Sequence, residues 1–168
     1  MTSMELKPIV QELHSKTSKT KNLILLDRDG TLNNDFGYTY KVSDLIPLYN
    51  NIKIIKSFID EKSSVVCITN QSGIGRGLFS ENEAKLFNLT LYEKLSELDL
   101  IIEKFYMCPH SPTLECGCRK PKTLMLELAM EQYNVSTERL IYIGDSIVDQ
   151  IACNKLGIKF IHVPKNEM

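Results

Sequence analysis

The chain has 168 residues, which is enough for one globular domain with a buried core. Hydrophobic residues make up 43% of it and charged residues 24%, and the net charge of -1 gives no electrostatic reason to expect a nucleic-acid partner. Because no segment is long and apolar enough for a signal peptide or a membrane span, we expect a cytoplasmic protein with no membrane partner. We also expect the protein to be a monomer.

Residues 1–22 form a leader that we expect to be helical or disordered, and residues 23–168 are expected to form a single domain. Five short runs in that domain are apolar and rich in β-branched or aromatic residues, which predicts buried strands. These runs span residues 23–26, 64–69, 104–108, 140–144 and 158–163.

Helical patterns lie between the predicted strands. The first contains three isoleucines at positions 52, 55 and 59, and the second has an apolar stripe from Ala84 to Leu98. The second also begins with a capping box, in which Ser80 and Glu83 satisfy amide groups at the helix start. Two further helices are predicted over about residues 123–133 and 147–156, the last stopped by Gly157.

This alternation of strand and helix predicts an α/β fold. We expect a three-layer, Rossmann-like sandwich with a mainly parallel sheet, no large cap domain and a small zinc-binding loop. In such sheets, ligands bind beyond the carboxyl ends of the strands. Four strand patterns end in chemically capable residues or run directly into them, namely Asp27, Thr69, Cys108 and Asp145. The sequence therefore predicts an active site at this edge.

Two carboxylates, Asp27 and Asp29, follow the first strand on a tight turn. One can act as an ionised nucleophile and metal ligand while the other carries a proton. A helix cap or a calcium loop would use the same residue types. However, an EF-hand loop would need Glu where Tyr38 stands, and a helix before it rather than a strand. A catalytic turn is the favoured interpretation.

A polar, glycine-rich stretch, TNQSGIGRG, follows the second strand from Thr69. Its hydroxyl, amide and backbone N–H groups suit an oxyanion such as phosphate, although an ordinary polar turn would have the same composition. The candidate substrate-binding residues in it are Asn70, Gln71, Ser72 and Arg76.

Further charged residues precede the third and fourth helices. The run Arg119-Lys120-Pro121-Lys122 resembles a solvated surface when taken alone, and only the nearby carboxylates and phosphate-binding stretch justify a functional role. Asp145 and Asp149 lie four residues apart across a helix start and, with Asp27, would form the oxygen-rich shell that Mg²⁺ prefers. Helix capping is the structural alternative for this pair.

Three thiols and one imidazole lie close together in the sequence. They belong to Cys108, His110, Cys116 and Cys118. Disulfides are not expected in a reducing cytosol, and a Cys₃His set can close a tetrahedral Zn²⁺ site. With all four positions filled by protein, the zinc would be structural and would hold the loop that delivers Arg119 and Lys120.

Together these motifs resemble the haloacid dehalogenase superfamily of phosphatases, from Leu23 to Pro164. The DxDGT pattern is matched at residues 27–31, the second motif by Thr69, the third by Lys120 and the acidic fourth by Asp145 and Asp149. The resemblance implies that Asp27 is the nucleophile and Asp29 the general acid/base, with Thr69 and Lys120 also catalytic. It also implies that Mg²⁺ is held by Asp27, the backbone carbonyl of Asp29, and Asp145.

Within that superfamily, the stretches LLDRDGTLN, FGY, TNQSGIGRG, CPHSP and CGCRKP resemble the heptose-1,7-bisphosphate 7-phosphatases. This resemblance implies a small phosphorylated sugar as substrate, in the synthesis of ADP- or GDP-heptose precursors, and the same zinc ligands. It also places Asn70, Arg119 and Lys120 against the substrate. The short segment between His110 and Cys116 is more similar to the related histidinol-phosphate phosphatases, so histidinol phosphate is the alternative substrate.

Two other functions remain open at this point: a DNA 3′-phosphatase, and a catalytically silent, zinc-stabilised binding module. The DNA 3′-phosphatases share the first two motifs but lack the zinc loop, and the near-neutral charge argues against them. A silent module would have no need to keep Asp27, Asp29, Lys120 and Asp145.

Overall fold

Six strands form one sheet in the computed structural model, which describes residues 6–16 and 18–165. The strands are β1 (Ile9–Glu12), β2 (Asn22–Leu26), β3 (Ser63–Asn70), β4 (Lys104–Cys108), β5 (Leu140–Gly144) and β6 (Lys159–His162). Their spatial order is β1-β4-β3-β2-β5-β6, and every neighbouring pair is parallel except β1 with β4. The five strands predicted from apolar runs are all present, within about two residues at each end.

The strand β1 corrects our expectation for the leader, which was a helix or disorder. It pairs antiparallel with β4, so that Ile9 lies opposite Met107 and Glu12 lies opposite Lys104. Its side chains alternate between half-buried and exposed positions along only four residues. An edge strand this short and only half-buried carries too little periodicity to be recognised from sequence. Residues 1–5 and 17 of the leader lie outside the described residues.

Within the described residues, five α-helices and two short 3-10 helices (Val42–Asp44 and Thr137–Arg139) lie between these strands. The α-helices are α1 (Tyr49–Lys56), α2 (Ser72–Gly75), α3 (Glu81–Ser96), α4 (Leu124–Tyr133) and α5 (Ile147–Leu156). The predicted capping box at the start of α3 is confirmed: the Ser80 side chain accepts from the Glu83 amide, and the Glu83 carboxylate accepts from the Ser80 amide. Gly157 ends α5 in the left-handed conformation, with φ of 69°. Ile59 lies beyond the end of α1.

The core has two halves, one on each face of the sheet. Successive side chains of β2 alternate between them, since Leu23 and Leu25 face the half covered by α4 and α5, whereas Ile24 and Leu26 face the half covered by α1 and α3. This arrangement confirms the three-layer α/β fold. Among the described residues, no helix combines the length and the apolarity that crossing a bilayer requires.

Candidate active site

A cavity of about 290 Å³ opens beyond the carboxyl ends of β2, β3 and β5. Most of the predicted site residues line it, and these are Asp27, Asp29, Thr69, Asn70, Gln71, Ser72, Arg119, Lys120 and Asp145. Arg76 is an exception, because it is exposed and its guanidinium carbon lies 5.7 Å from the ring centroid of Tyr38 at the cavity wall. The topology thus brings residues from four separate motifs to one place.

Lys120 is buried on the cavity floor and is not a solvated surface charge. Its Nζ atom lies 2.8 Å from Asp27 Oδ1 and 2.7 Å from Asp149 Oδ1. It also donates to the carbonyl of Ile68 at 2.8 Å and to the hydroxyl of Tyr142 at 2.9 Å. Burial alone would lower the pKa of Lys120, but the charges of Asp149 and Asp27 raise it above its usual value. The two carboxylates therefore favour the charged form of this lysine.

Asn70 fixes the backbone that carries this lysine. Its Oδ1 atom accepts from the Lys120 amide at 3.0 Å, and its Nδ2 atom donates to the Lys120 carbonyl at 3.1 Å. The sequence resemblance predicts that Asn70 contacts the substrate, and Asn70 does line the cavity. Because both polar atoms of its side chain already bond to the main chain, Asn70 also has a clear role in placing the lysine.

Three carboxylates form a group with one oxygen from each lying within 4.8 Å of the others: Asp27, Asp145 and Asp149. Asp149 is engaged by the protein through both oxygens, since Oδ1 accepts from the lysine ammonium and Oδ2 accepts from Ser146 Oγ at 2.6 Å. Asp145 Oδ1 accepts from Thr31 Oγ1 at 3.0 Å. The two carboxylates best placed to hold a cation are therefore Asp27 and Asp145, and their oxygen donors fit Mg²⁺.

The electrostatics of this group also favour a cation. Burial raises the pKa of Asp27 well above its usual value, and the charge of Asp149 raises it further, against the opposing effect of Lys120. Burial likewise raises the pKa of Asp145. A divalent ion between the two carboxylates would stabilise their ionised forms. The turn beside them is tight, since a Cβ atom at Gly30 would lie 2.5 Å from Asp145 Oδ2.

Asp29 is held by side chains from three directions. Gln71 Nε2 donates to its Oδ2 atom at 2.8 Å and Asn33 Nδ2 donates to its Oδ1 atom at 3.0 Å. The third partner is Arg28, whose Nε atom donates to Oδ1 at 3.1 Å and whose Nη2 atom donates to Oδ2 at 2.9 Å. Gln71 Nε2 also lies 2.9 Å from Thr69 Oγ1, which links the acid/base candidate to the predicted phosphate-binding stretch.

Sequence reasoning missed several residues of this site. Arg28 stands between two residues that line the cavity, but its own side chain is buried in the protein interior, where a cation needs a partner. Tyr142 lies in a predicted strand. Its role could have been inferred from the presence of a hydroxyl group in an otherwise apolar run. Asp35 and Lys165 also line the cavity and form an ion pair of 2.8 Å, but their separation in the chain gave no signal.

The four predicted zinc ligands lie together beside the cavity. Their ligand atoms, from Cys108, His110, Cys116 and Cys118, are all within 4.8 Å of one another. The sulfurs of Cys108 and Cys116 are 3.7 Å apart, close to the roughly 3.8 Å that tetrahedral Zn–S bonds of about 2.3 Å would give. The hydrogen bond from Cys118, with bonds from His110, lowers the pKa of the Cys108 thiol to about 5. This donor set and its spacing fit Zn²⁺.

The thiol cluster is connected directly to the phosphate-binding stretch. The amide of Gln71 donates to the carbonyl of Cys108 at 2.7 Å, and the amide of Gly75 donates to the carbonyl of Pro109 at 2.8 Å. The approach is close, because a Cβ atom at Gly75 would lie 2.6 Å from the Pro109 oxygen. The position of Gln71 is thus set by the segment that carries the first two thiol-cluster residues.

Comparisons with known proteins agree with this geometry. The family model described as haloacid dehalogenase-like hydrolase matches residues 91–163. The D-glycero-alpha-D-manno-heptose-1,7-bisphosphate 7-phosphatase of Campylobacter jejuni is 38% identical over 80% of this chain and 76% of its own length. The D-glycero-beta-D-manno-heptose-1,7-bisphosphate 7-phosphatase of Haemophilus ducreyi is 34% identical over 83% of this chain and 80% of its own length.

A solved structure is similar over most of the chain. It is D,D-heptose 1,7-bisphosphate phosphatase from B. bronchiseptica complexed with magnesium and phosphate, with 31% identity and a TM-score of 0.76. The match covers 83% of this chain and 78% of that one. The resemblance inferred from the motifs is confirmed, and this chain belongs to the haloacid dehalogenase-like hydrolase family, in which it is a phosphatase.

Proposed function

We propose that this phosphatase removes the 7-phosphate of D-glycero-D-manno-heptose 1,7-bisphosphate through an aspartyl-phosphate on Asp27, in the synthesis of nucleotide-activated heptose. The observation that carries the proposal is the contact between Asp27 and the buried ammonium of Lys120 on the floor of an open cavity. A nucleophilic carboxylate repels a phosphate dianion, and a fixed cation beside it offsets that repulsion. The names of the relatives support the choice of sugar.

Each residue of the site has a role in this reaction. Asp27 forms a bond to phosphorus as the bond from phosphorus to the sugar oxygen breaks, and Asp29 gives its proton to that oxygen. Asp29 then takes a proton from the water that hydrolyses the aspartyl-phosphate. Thr69 and the backbone amides of residues 72–73 would bind the phosphate oxygens, next to Lys120. Throughout, Asp149 and Tyr142 hold the lysine in place.

Two metals complete the proposal. Asp27, Asp145 and the backbone carbonyl of Asp29 would hold Mg²⁺, which supplies positive charge to the phosphoryl oxygens as negative charge builds up on them. Cys108, His110, Cys116 and Cys118 would hold a structural Zn²⁺. The zinc site has no direct part in the chemistry, and its contribution is to fix the segment that positions Gln71.

A second feature favours a substrate with two phosphates. The Nη1 atom of Arg119 is buried and has no hydrogen-bond partner within the described residues, although Arg119 lines the cavity. A buried guanidinium nitrogen without a partner is costly, and a phosphate oxygen is a suitable acceptor for it. The second phosphate of a heptose bisphosphate would supply an acceptor to the guanidinium where Arg119 lines the cavity, whereas histidinol phosphate brings an amine of the wrong charge.

A kinetic panel tests the assignment. With Mg²⁺ present, we expect kcat/KM for heptose 1,7-bisphosphate to exceed that for histidinol phosphate by at least about tenfold, or roughly 1.4 kcal/mol. A 3′-phosphorylated oligonucleotide should be the poorest of the three substrates. A reversed preference between the first two would assign the protein to histidinol phosphate. A chain that hydrolyses none of them, nor p-nitrophenyl phosphate, would be a binding module.

A further inference from the structure

Arg28 is the largest side chain that the fold buries completely, and the proposed reaction gives it no part. It lies between Asp27 and Asp29 in the chain but points away from the cavity, against α3. Its guanidinium carbon lies 4.6 Å from the ring centroid of Phe87, on α3. A buried cation is costly unless its donors are satisfied, so the partners of Arg28 indicate what it does.

The guanidinium of Arg28 donates four hydrogen bonds. Nε and Nη2 form a two-pronged contact with the carboxylate of Asp29. Nη1 donates to Asn88 Oδ1 on α3 at 3.0 Å, and Nη2 also donates to the carbonyl of Thr39 at 2.7 Å. Asn88 is itself fixed, because its Nδ2 atom donates to Gln11 Oε1 on β1 at 3.1 Å. Arg28 therefore connects Asp29 to three separate parts of the fold.

The contact determines where Asp29 points. A carboxylate held by one donor can turn, but one held through both oxygens by a rigid planar fork cannot turn without breaking two bonds. Gln71 and Asn33 add one further donor to each oxygen, so one of these two amide groups has to move aside when the Asp29 carboxyl group carries a proton. The loop that carries Thr39 also supplies Gly37 and Tyr38 to the cavity wall, so Arg28 bridges Asp29 and the entrance of the site.

We propose that Arg28 is a positioning residue for the reaction: it sets the direction of the Asp29 carboxylate and ties it to α3 and to the loop at the cavity entrance. This inference rests on the proposed function, in which Asp29 exchanges a proton with the sugar oxygen. Arg28 itself is not among the residues that line the cavity in which substrate and Mg²⁺ would bind. Its effect should therefore appear only in steps that need Asp29 in the correct place.

A comparison of two substrates distinguishes a positioning role of Arg28 from a general loss of stability. A sugar oxygen is a poor leaving group and needs the proton of Asp29, while nitrophenolate leaves readily without it. In single-turnover reactions with Mg²⁺, Arg28→Met should slow cleavage of heptose bisphosphate by about 10- to 100-fold more than cleavage of p-nitrophenyl phosphate, since misplacement of a catalytic group costs rate of this order. KM for the sugar should stay near the wild-type value, and Arg28→Lys should recover part of the loss.

Leu95→Ala is the matched control. Leu95 is fully buried on α3 but forms none of these hydrogen bonds, so this variant should lose stability while both substrates keep their wild-type ratio of rates. If Arg28→Met does not fold, Asn88→Leu removes one partner of the guanidinium and leaves Asp29 intact. It should shift the same ratio in the same direction, and an unchanged ratio would overturn the inference.

The remaining outcomes are also decisive. Equal losses on both substrates in Arg28→Met, or a loss that Leu95→Ala reproduces, would mean that Arg28 acts only on stability. Such a result with an active wild-type chain would leave the proposed function standing. A wild-type chain that hydrolyses neither substrate would overturn the proposed function and this inference together.

Discussion

Replacing Lys120 by Met removes the positive charge of the site and keeps most of the side-chain volume. In the wild-type chain this ammonium contacts Asp27 and Asp149, and the exposed fractions of the three side chains are only 2%, 12% and 0%. Without the cation, two buried carboxylates face each other with no opposing charge from the protein. We therefore expect loss of both activity and stability.

The size of the stability loss follows from burial. Removing one partner of a buried ion pair costs about 3–5 kcal/mol, because the remaining charge stays buried and uncompensated. For a chain of this size, each kcal/mol lowers Tm by about 2–4 °C, so the expected decrease is roughly 6–20 °C. Lys155→Met is the control, since Lys155 is exposed and the one bond of its Nζ atom within residues 6–16 and 18–165 is to the Pro121 carbonyl at 2.9 Å. Its stability should change by less than about 0.5 kcal/mol.

The loss should also depend on pH in a defined direction. Burial alone would raise the pKa of Asp149, but the charge of Lys120 holds it below its usual value. Asp149 thus contributes stability to the wild-type chain above the ordinary carboxylate pKa of about 4, and this is lost as the pH falls through its lower folded value. In Lys120→Met, burial is opposed by the hydrogen bonds from Ser146 and Tyr142 without the charge of the lysine, and the pKa of Asp149 rises. Its ionisation then lowers stability as the pH increases.

Thermal unfolding in buffer without Mg²⁺ measures this, because no free divalent ion can then replace the lost charge and the zinc site is left intact. The difference in Tm between wild type and Lys120→Met should be largest at pH 7.5 and should narrow as the pH falls to 5. A variant as stable as the wild type at pH 7.5 would refute the reasoning. A difference that does not vary with pH would show that lost packing, and not charge, is responsible.

Three further predictions concern the chemistry and the metals. In Asp29→Asn, cleavage of the sugar phosphate should slow by about 10²–10⁴-fold, whereas p-nitrophenyl phosphate should give a burst of nitrophenol followed by slow turnover; equal losses without a burst would exclude Asp29 as the acid/base. Purified protein should contain about one Zn²⁺ per chain by elemental analysis, and Cys116→Ser should lower both zinc content and Tm; zinc-free protein with unchanged folding would contradict the structural site. Arg119→Met should lower kcat/KM for heptose bisphosphate by more than for p-nitrophenyl phosphate, and an equal effect on both would mean that Arg119 does not contact the second phosphate.

The sequence predicted the central strands and the residues that meet at one edge of the sheet, for physical reasons. A strand buried on both faces must be apolar along its whole length, as residues 23–26 are. Parallel topology then places the residues after each strand at one edge, so the grouping of Asp27, Thr69 and Asp145 followed from order alone. The distances between these groups could not be predicted from the sequence, because they depend on how far each strand extends and on how each turn closes.

What the sequence did not reveal are interactions that join distant segments. The pattern around Lys120 resembles a surface charge run, and only the fold places its ammonium among Asp27, Asp149 and Tyr142. The role of Asn70 is of the same kind, because its partner lies 50 residues away in the chain. Hydrophobic periodicity carries no information about which buried polar groups will meet.

The strand β1 has a consequence for how the molecule behaves in solution. It occupies the outer side of β4, where an uncovered strand would present a row of unpaired amide and carbonyl groups. A shortened chain beginning after Glu12 would keep every cavity residue and still expose this row to other molecules. Such a protein is expected to pair with other chains more readily, because the edge that β1 presents instead is only four residues long and carries exposed side chains.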